Sequence, residues 1–151
     1  MSDNWIILIP EDPRLVPSGD RNDRAIALLK FLAPQSEKVE AAVSDLIRFV
    51  DAGENFQRIN CPSCNSQIDN EWWQEQMSDD FVDGGFLLKL RETPCCKAKA
   101  TLHELRYDWA QGFAKFSLGS MNPNIGELPE SGVQDLESNL GCPLRLIYSH
   151  I

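Results

Sequence analysis

Histidine is scarce in this chain, with only His103 and His150 among 151 residues. His150 stands next to the last residue, so the sequence offers no Ser-His-Asp or Cys-His catalytic arrangement. A phosphate-binding glycine loop is also missing, because Gly84 and Gly85 precede a predicted strand rather than a helix whose amino end could hold an anion. These absences argue against an enzyme with one of the common hydrolase or nucleotide-binding motifs.

Positive charge is in short supply as well. The chain has 14 lysines and arginines against 23 aspartates and glutamates, which gives a net charge of -9. Phosphate contacts need lysine and arginine at a surface, so we expect no nucleic-acid partner. An acidic surface instead favours a basic protein as the partner, because complementary charge speeds capture.

Long apolar runs are absent too. No run approaches the roughly 20 residues of a membrane span, and the opening residues Met1 to Asn4 lack the basic residues of a secretory signal. Hydrophobic residues make up 42% of the chain and charged residues 25%, a balance typical of a protein that buries one core. We therefore expect a single domain over residues 1–151, no membrane partner, and a cytoplasmic location in which thiols stay reduced.

Cysteine, by contrast, is present in a pattern. Four of the five cysteines stand at the two ends of one stretch, with Cys61 and Cys64 in a Cys-Pro-Ser-Cys turn and Cys95 and Cys96 after a proline. Two such turns can supply the four corners of a tetrahedral zinc site. Asn65 tolerates the left-handed backbone that follows a metal-binding turn, which favours zinc over a glutaredoxin-like redox motif. We predict structural zinc bound by these four cysteines, closing an insertion at about residues 56–105.

The ligand set stays open at one point, because adjacent cysteines point in different directions. His103 lies close enough downstream to replace Cys95 or Cys96. If only three cysteines bind, an open position on zinc makes a hydrolase the alternative, with Glu104 as the nearest base in sequence. Catalytic thiols and buried reduced cysteines without metal are the other interpretations. Cys142 belongs to none of these and is expected to be a small buried thiol.

An acidic block lies between the two cysteine turns, with six acids from residue 69 to residue 83 and no lysine or arginine among them. The block contains two tryptophans on a helix predicted from about Asp69 to Met77. Neighbours on a helix face different directions, so one tryptophan should pack inward and the other is harder to bury. An exposed tryptophan among acids is typical of an interface. The predicted partner-binding residues are Asp69, Glu71, Trp72, Trp73, Glu75, Asp79, Asp80 and Asp83.

The order of the predicted elements indicates the fold class. A continuous apolar run at residues 5–9 predicts a buried strand, and the apolar residues from Val39 to Val50 recur at helical spacing and predict a helix after Ser36. The whole order predicts an α+β fold, a ferredoxin-like sandwich with helices on one face of a mostly antiparallel sheet and a zinc-ribbon-like insertion. A sheet that continues through the ribbon strands is the alternative. The other predicted elements are a helix ending before Pro34, a strand over 86–90, a strand over 113–118, a helix ending at Gly141 and a strand over 144–148.

Several short motifs occur together across most of the chain. Read together, they resemble a family of small stand-alone bacterial proteins of uncertain function with a zinc-ribbon-like cysteine pattern. In size and acidity the chain is also similar to the immunity proteins of bacterial toxin pairs. The motifs are Cys-Pro-Ser-Cys at Cys61, Trp72-Trp73, Pro94-Cys95-Cys96, Leu105-Arg106-Tyr107-Asp108-Trp109, Gly112-Phe113-Ala114, Asn122-Pro123 and Leu144-Arg145-Leu146.

From these observations we expect an acidic, zinc-stapled protein-binding module. Its most specific form is an immunity protein that neutralises a basic toxin such as a nuclease. The alternatives are a zinc-dependent hydrolase or thiol enzyme centred on the cysteine cluster, and a structural subunit of a larger complex. Metal analysis distinguishes the binding module from the zinc-dependent hydrolase, because a zinc with four protein ligands leaves no position for a reactive water.

Overall fold

The computed structural model describes residues 2–151 and is of the α+β class, with three α-helices and antiparallel sheets in that range. None of those helices is long and apolar enough to cross a membrane. In chain order the elements are β1 (Asn4–Pro10), α1 (Gly19–Leu32), β2 (Lys38–Val50), β3 (Arg58–Asn60), β4 (Gln67–Ile68), α2 (Asn70–Asp80), β5 (Phe81–Val82), β6 (Gly85–Phe86), β7 (Arg91–Glu92), β8 (Lys99–Ala100), a 3-10 turn (Leu102–Glu104), β9 (Arg106–Asp108), β10 (Gly112–Met121), α3 (Glu130–Leu140) and β11 (Leu144–His150).

The largest sheet has four strands in the order β11-β1-β10-β2, and every neighbouring pair is antiparallel. Strand β1 therefore lies inside the sheet, as its continuous apolar sequence predicts. The chain runs β1-α1-β2, makes the insertion from β3 to β9, and then returns as β10-α3-β11. The predicted strands at residues 5–9, 113–118 and 144–148 are confirmed within slightly longer strands.

Helices α1 and α3 pack against each other and against one face of this sheet. Their buried leucines Leu29 and Leu136 share a core with Leu8 of β1 and with Phe116 and Leu118 of β10. Helix α1 ends before a proline and α3 ends at a glycine in the left-handed conformation, the stop signals that the sequence contains. Both helix predictions are confirmed, with the helices on the same side of the sheet.

The predicted helix after Ser36 is wrong, because residues Lys38–Val50 form strand β2. The apolar residues from Val39 to Val50 do recur at helical spacing, but many of them are β-branched or aromatic and suit a pleated surface. Pairing with β10 then decides the outcome, with partners from Lys38 and Met121 at one end to Val50 and Gly112 at the other. A long-range pairing of this kind overrides the local periodicity.

Strand β2 is interrupted near its middle. Val43 pairs with Phe116 and Arg48 pairs with Ala114, so four residues of β2 stand opposite Lys115 alone. After this irregularity the chain crosses to β11 at the opposite edge of the sheet, where the backbone of Glu54 donates a hydrogen bond of 2.8 Å to the carbonyl of His150. Strand β2 therefore pairs with β10 in two separate stretches, one on each side of the irregularity.

The insertion between β2 and β10 consists of small separate sheets around helix α2. The sheet does not continue through it, which corrects the alternative fold. A second hydrophobic cluster joins the insertion to the main sheet, with Ile59 and Trp73 of the insertion packed against Ile47 and Phe113. The strand predicted over residues 86–90 is found only at its start, since β6 ends at Phe86.

Candidate metal centre

The two pairs of cysteines in the insertion lie together, with Cys61 buried and the other three exposed. Their Sγ atoms all lie within 4.8 Å of one another. The distance is 3.8 Å between Cys61 and Cys96 and 3.4 Å between Cys64 and Cys95. A tetrahedral ion bound by thiolates at about 2.3 Å has sulfur–sulfur edges of about 3.8 Å. The cluster can therefore hold a metal ion.

The first cysteine turn joins β3 to β4. The backbone N–H of Asn65 donates to the carbonyl of Cys61 at 3.0 Å, and the N–H of Cys61 donates to the carbonyl of Ser66 at 2.9 Å. Asn65 has a φ of 61°, the left-handed conformation that the sequence predicts at this position. These bonds curl the backbone so that Cys61 and Cys64 point to the same side.

The second turn, between β7 and β8, repeats this backbone pattern. The N–H of Lys97 donates to the carbonyl of Thr93 at 3.0 Å, and the N–H of Thr93 donates to the carbonyl of Ala98 at 2.9 Å. Lys97 has a φ of 59°. The two turns are equivalent, with Thr93 in the place of Cys61, Cys95 in the place of Ser63 and Cys96 in the place of Cys64.

Thr93 thus occupies the position that Cys61 has in the first turn. Its side chain is buried, and its Oγ1 lies 3.7 Å from Sγ of Cys61 and 3.5 Å from Sγ of Cys96. Sequence reasoning missed this residue. The sequence does contain the information, because Thr-Pro-Cys-Cys aligns with Cys-Pro-Ser-Cys. In this alignment the first cysteine of the second turn stands at the third position of the motif instead of the first.

The environment of the thiols favours a bound cation. The backbone N–H of Cys64, together with that of Ser63, lowers the pKa of Cys61 to about 6 although its burial opposes this. Desolvation and the neighbouring Cys64 sulfur raise the pKa of Cys95 to about 11. Four thiols this close cannot all ionise unless a positive charge lies between them, and a metal ion supplies that charge.

His103 is not brought to the cluster. Its Nε2 donates to the carbonyl of Glu11 at 2.8 Å, and its Nδ1 accepts from the N–H of Phe113 at 3.0 Å. Desolvation, with the nearby Arg145 charge, lowers the pKa of His103 to about 4, so the ring is neutral at pH 7. With both ring nitrogens engaged, His103 has no ligand role. Glu104 caps its own turn by accepting from the N–H of Thr101 at 2.8 Å.

Most of the predicted partner-binding residues are exposed on and after α2, but two are not. Trp73 is 8% exposed, packs against Phe56 and Tyr107, and donates from Nε1 to the Tyr107 hydroxyl at 3.0 Å. Asp80 is fully buried and pairs with Arg91, which lies outside the acidic block. The prediction that Trp73 and Asp80 face a partner is therefore wrong. Trp72 is half-buried, whereas the acids that remain exposed are Asp69, Glu71, Glu75, Asp79 and Asp83.

Sequence reasoning also missed an exposed apolar surface beside these acids, which we call the hairpin patch. It consists of Phe81 and Val82 of strand β5, which are 50% and 40% exposed, and Leu46 of the irregular part of β2, which is 46% exposed. The side chain of Leu46 lies against Gly84 and Gly85 in the turn that follows β5. Leu46 was overlooked because the predicted helix after Ser36 placed it on an apolar stripe. Phe81 and Val82 were overlooked because only two apolar residues stand there, between Asp80 and Asp83.

A metal held by four thiolates would connect two turns that are far apart in sequence, and it would have no position for water or substrate. The role of such a metal is structural, because it would hold β3–β4 beside β7–β8, with α2 between them in the chain.

Comparison of the chain with protein-family models, with curated proteins and with solved structures finds no match.

Because the two turns have the same backbone pattern, we expect that a cysteine at position 93 could bind zinc in place of Cys95. Cys95→Ser alone should lower zinc affinity by about 100-fold or more, since one of four ligands is lost. Adding Thr93→Cys should restore most of it. Competition with a chromophoric chelator measures both. Cys142→Ala, which removes the cysteine outside the cluster, is the control that should bind normally. Wild-type affinity in Cys95→Ser would show that Cys95 is not a ligand.

Proposed function

We propose that the chain is an acidic protein-binding module, stapled by zinc and built on a ferredoxin-like scaffold. The scaffold part rests on the main sheet, whose strands and helices follow the order βαββαβ once the insertion is set aside. Both helices lie on one face of the sheet and all neighbouring strands are antiparallel, which supports a split βαβ arrangement. Because the main sheet and its two helices form their own core, we assign the binding role to the insertion.

Zinc is the metal that best suits the cluster. Four thiolates at tetrahedral spacing are soft ligands, and they favour zinc over hard cations such as magnesium or calcium. The same thiols would stay reduced in the cytoplasm, where we place the protein. A closed site of this kind supports a binding role over hydrolysis, because hydrolysis needs a coordination position for water.

The observation that carries the binding role is the hairpin patch with the acids around it. Phe81 and Val82 are neighbours in the chain, and Leu46 lies against the two glycines that follow Asp83. Exposed apolar groups mark interaction sites where they form one patch. Exposed acids adjoin the patch in the chain, with Asp79 before β5, Asp83 after it and Asp45 before Leu46. An apolar centre with an acidic rim fits a partner that presents an apolar residue among lysines and arginines.

The partner that we propose is therefore a basic protein. In the most specific version of the proposal, this partner is a toxin such as a nuclease. A nuclease must be basic around its own substrate groove, because it binds phosphates. An acidic protein that covers that groove would block it. A subunit role in a larger complex would use the same surface and differ only in the identity of the basic partner.

Co-purification from the native host, followed by measurement of the affinity for the identified protein, tests this proposal. We expect a basic partner whose binding weakens as salt is added. Phe81→Ser with Val82→Ser should weaken it by about 30-fold or more, the size of a central interface contact. Glu71→Lys with Glu75→Lys should weaken it mainly through slower association.

The matched control is Glu127→Lys with Glu130→Lys, which reverses two exposed acids that lie elsewhere in the chain. This variant should bind as the wild type does. Equal binding by the Phe81 and Val82 variant, or a partner that is itself acidic, would contradict the proposed surface. Zinc content is measured for each variant, so that loss of binding is not confused with loss of the metal.

A further inference from the structure

A cavity of about 650 Å³ lies at one end of the main sheet, where β1 and β11 meet the surrounding loops. Asn4 and Ile6 of β1 and Tyr148 of β11 line it. Paired residues of antiparallel strands point to the same face, and Ile6 pairs with Tyr148. Because Ile6 also packs in the core beneath α1 and α3, these side chains lie on the helix face of the sheet. The cavity shares no lining residue with the cysteine cluster or the hairpin patch.

Three other segments of the chain form the walls of this cavity. Asn55 comes from the turn after β2, Trp109 from the loop before β10, and the remaining wall from the loop at residues 122–126. Two of these walls are bonded to Tyr148. Nδ2 of Asn55 donates to its carbonyl at 3.1 Å, and the N–H of Leu128, just beyond the loop, donates to its hydroxyl at 3.0 Å. The cavity is thus formed before any ligand enters it, which reduces the entropic cost of binding.

The lining of the cavity is uncharged. Among residues 2–151, none of the side chains that line it is charged, although charged residues make up 25% of the chain. A phosphate, a carboxylate or an ammonium group would find no counter-charge there, and taking such a group out of water without one is costly. The composition of the lining therefore favours a neutral ligand. The polar and aromatic side chains that such a ligand would meet include Asn4, Asn55, Asn124, Trp109 and Tyr148.

Three of the lining amides keep one atom available for a ligand. Oδ1 of Asn4 lies 2.7 Å from Nδ1 of His150, which leaves its Nδ2 without a partner among residues 2–151. Asn55 and Asn124 both donate internally from Nδ2, and this leaves their Oδ1 atoms without one in the same range. Solvent reaches these atoms, because Asn4 and Asn124 are exposed residues and Oδ1 of Asn55 is not enclosed. The cavity thus offers one amide donor and two amide acceptors.

Trp109 adds a flat apolar surface to these amides. Its side chain is 43% exposed, and its ring stands at 87° to that of Tyr148 with 6.5 Å between the centroids. A sugar ring matches this combination, because its C–H groups form an apolar face while its hydroxyls both donate and accept hydrogen bonds. A nucleobase matches it less well. Held between aromatic side chains, a base needs two parallel rings, and Tyr148 is not parallel to Trp109.

We propose that this cavity binds a neutral sugar of one or two rings. The apolar face of one ring lies against Trp109, hydroxyls donate to Oδ1 of Asn55 and Asn124, and another hydroxyl accepts from Nδ2 of Asn4. The volume is within the range of about 300–1,000 Å³ that is usual for small-molecule sites. The inference is independent of the protein-binding role, because it uses none of the residues of that surface.

Titration of the zinc-loaded full chain, followed by NMR, tests the proposal. The neutral probes are glucose, galactose, mannose, N-acetylglucosamine, maltose and cellobiose, and the comparison probes are glucuronate, glucosamine and adenosine. We expect at least one neutral sugar to bind with a Kd below about 5 mM. Glucuronate and glucosamine, which carry a charge, should bind at least about 10-fold more weakly than the tightest neutral sugar. Absence of binding by all six neutral sugars, or tighter binding of adenosine than of any of them, would overturn the proposal.

Variants locate the site. Trp109→Ala should weaken the tightest sugar by about 10-fold or more, because it removes the apolar surface. Asn124→Gly should weaken it by a smaller factor, and glycine accepts the φ of 57° that Asn124 has. The matched control is Phe31→Ala, which removes a 79% exposed aromatic ring on α1 and should leave binding unchanged.

The wild-type chain gives an independent readout. The indole N–H resonance of Trp109, assigned by its absence from Trp109→Phe, should shift as the sugar is added. Saturable sugar binding with this resonance unshifted, or with full affinity in a folded Trp109→Ala, would place the ligand elsewhere and refute the cavity.

Discussion

Replacing Cys61 by serine is expected to lower zinc affinity by more than the roughly 100-fold expected for Cys95→Ser, and to lower the free energy of unfolding by several kcal/mol. Cys61 is the one fully buried member of the cluster, and its sulfur lies within reach of Cys96 and Thr93. Structural zinc contributes roughly 10 kcal/mol or more of binding free energy in small zinc domains, and part of this is folding free energy. Chelator competition and urea unfolding measure the two quantities.

The insertion should be affected more than the main sheet. Helix α2 is short and carries many acids, so it gains little from its own sequence and depends on the two turns that flank it. Hydrogen exchange should therefore show lost protection in α2 and β3 before β1 and β10. A wild-type protein that purifies without metal, or that keeps its stability after chelation, would contradict the structural role. Cys142→Ala again serves as the control, since it removes a buried thiol far from the cluster in the chain.

The sequence predicts the features that depend on local chemistry. The first cysteine turn is recognised from its spacing and from Asn65, and the structure shows the left-handed backbone there. Helix α2 is recognised with its cap, because the side chain of Asp69 accepts a hydrogen bond from the N–H of Glu71 at 3.0 Å. Proline and glycine mark where α1 and α3 end. In each case a few neighbouring residues carry the whole signal.

Features that depend on distant partners were not predictable in this way. Strand β2 has an apolar spacing that fits a helix, and only its pairing with β10 makes it a strand. The acidic block lacks a cation within its own limits, but Arg91 reaches back to it from the strand that follows. The unusual second turn places Thr93 where a ligand is expected, so counting cysteines alone could not show that the two turns match.

Replacing Asp80 by alanine is expected to cost about 3–5 kcal/mol of unfolding free energy, because it leaves buried donors without their shared acceptor. Asp80 accepts from the N–H of Leu88 at 2.8 Å, from the N–H of Lys89 at 2.9 Å and from Arg91 at 2.9 Å. Leu88 has a φ of 55°, a conformation that leucine rarely adopts and that these bonds hold in place. Thermal or urea unfolding measures the loss.

Asp79→Ala is the matched control, since Asp79 also pairs with Arg91 at 2.9 Å but its side chain is 67% exposed. An exposed pair contributes about 1 kcal/mol or less, so the two variants should differ clearly. Equal stability of Asp79→Ala and Asp80→Ala would show that the buried network contributes no more than the surface pair.

The pH dependence of stability follows from the same contacts. Burial alone would raise the pKa of Asp80, but the hydrogen bonds from Lys89, Arg91 and Leu88 outweigh it and lower the pKa below its usual value. The folded state then binds the proton less readily than the unfolded state, whose aspartate pKa is about 3.9. The stabilisation is complete above that pH and is lost as the pH falls toward the lowered pKa of the folded state. Asp80→Ala should lack this part of the acid dependence.

Loss of the Asp80 contacts should also lower the affinity of the cysteine cluster for zinc. The segment that Asp80 holds, from Leu88 to Arg91, leads directly into β7 and the second cysteine turn. If that segment loosens, Cys95 and Cys96 lose their preset distance from the first turn, and zinc must order them when it binds. We therefore expect Asp80→Ala to lower zinc affinity by about 10-fold, in the range of outer contacts that orient metal ligands. Unchanged zinc affinity in a destabilised Asp80→Ala would show that the two turns are positioned independently of the helix between them.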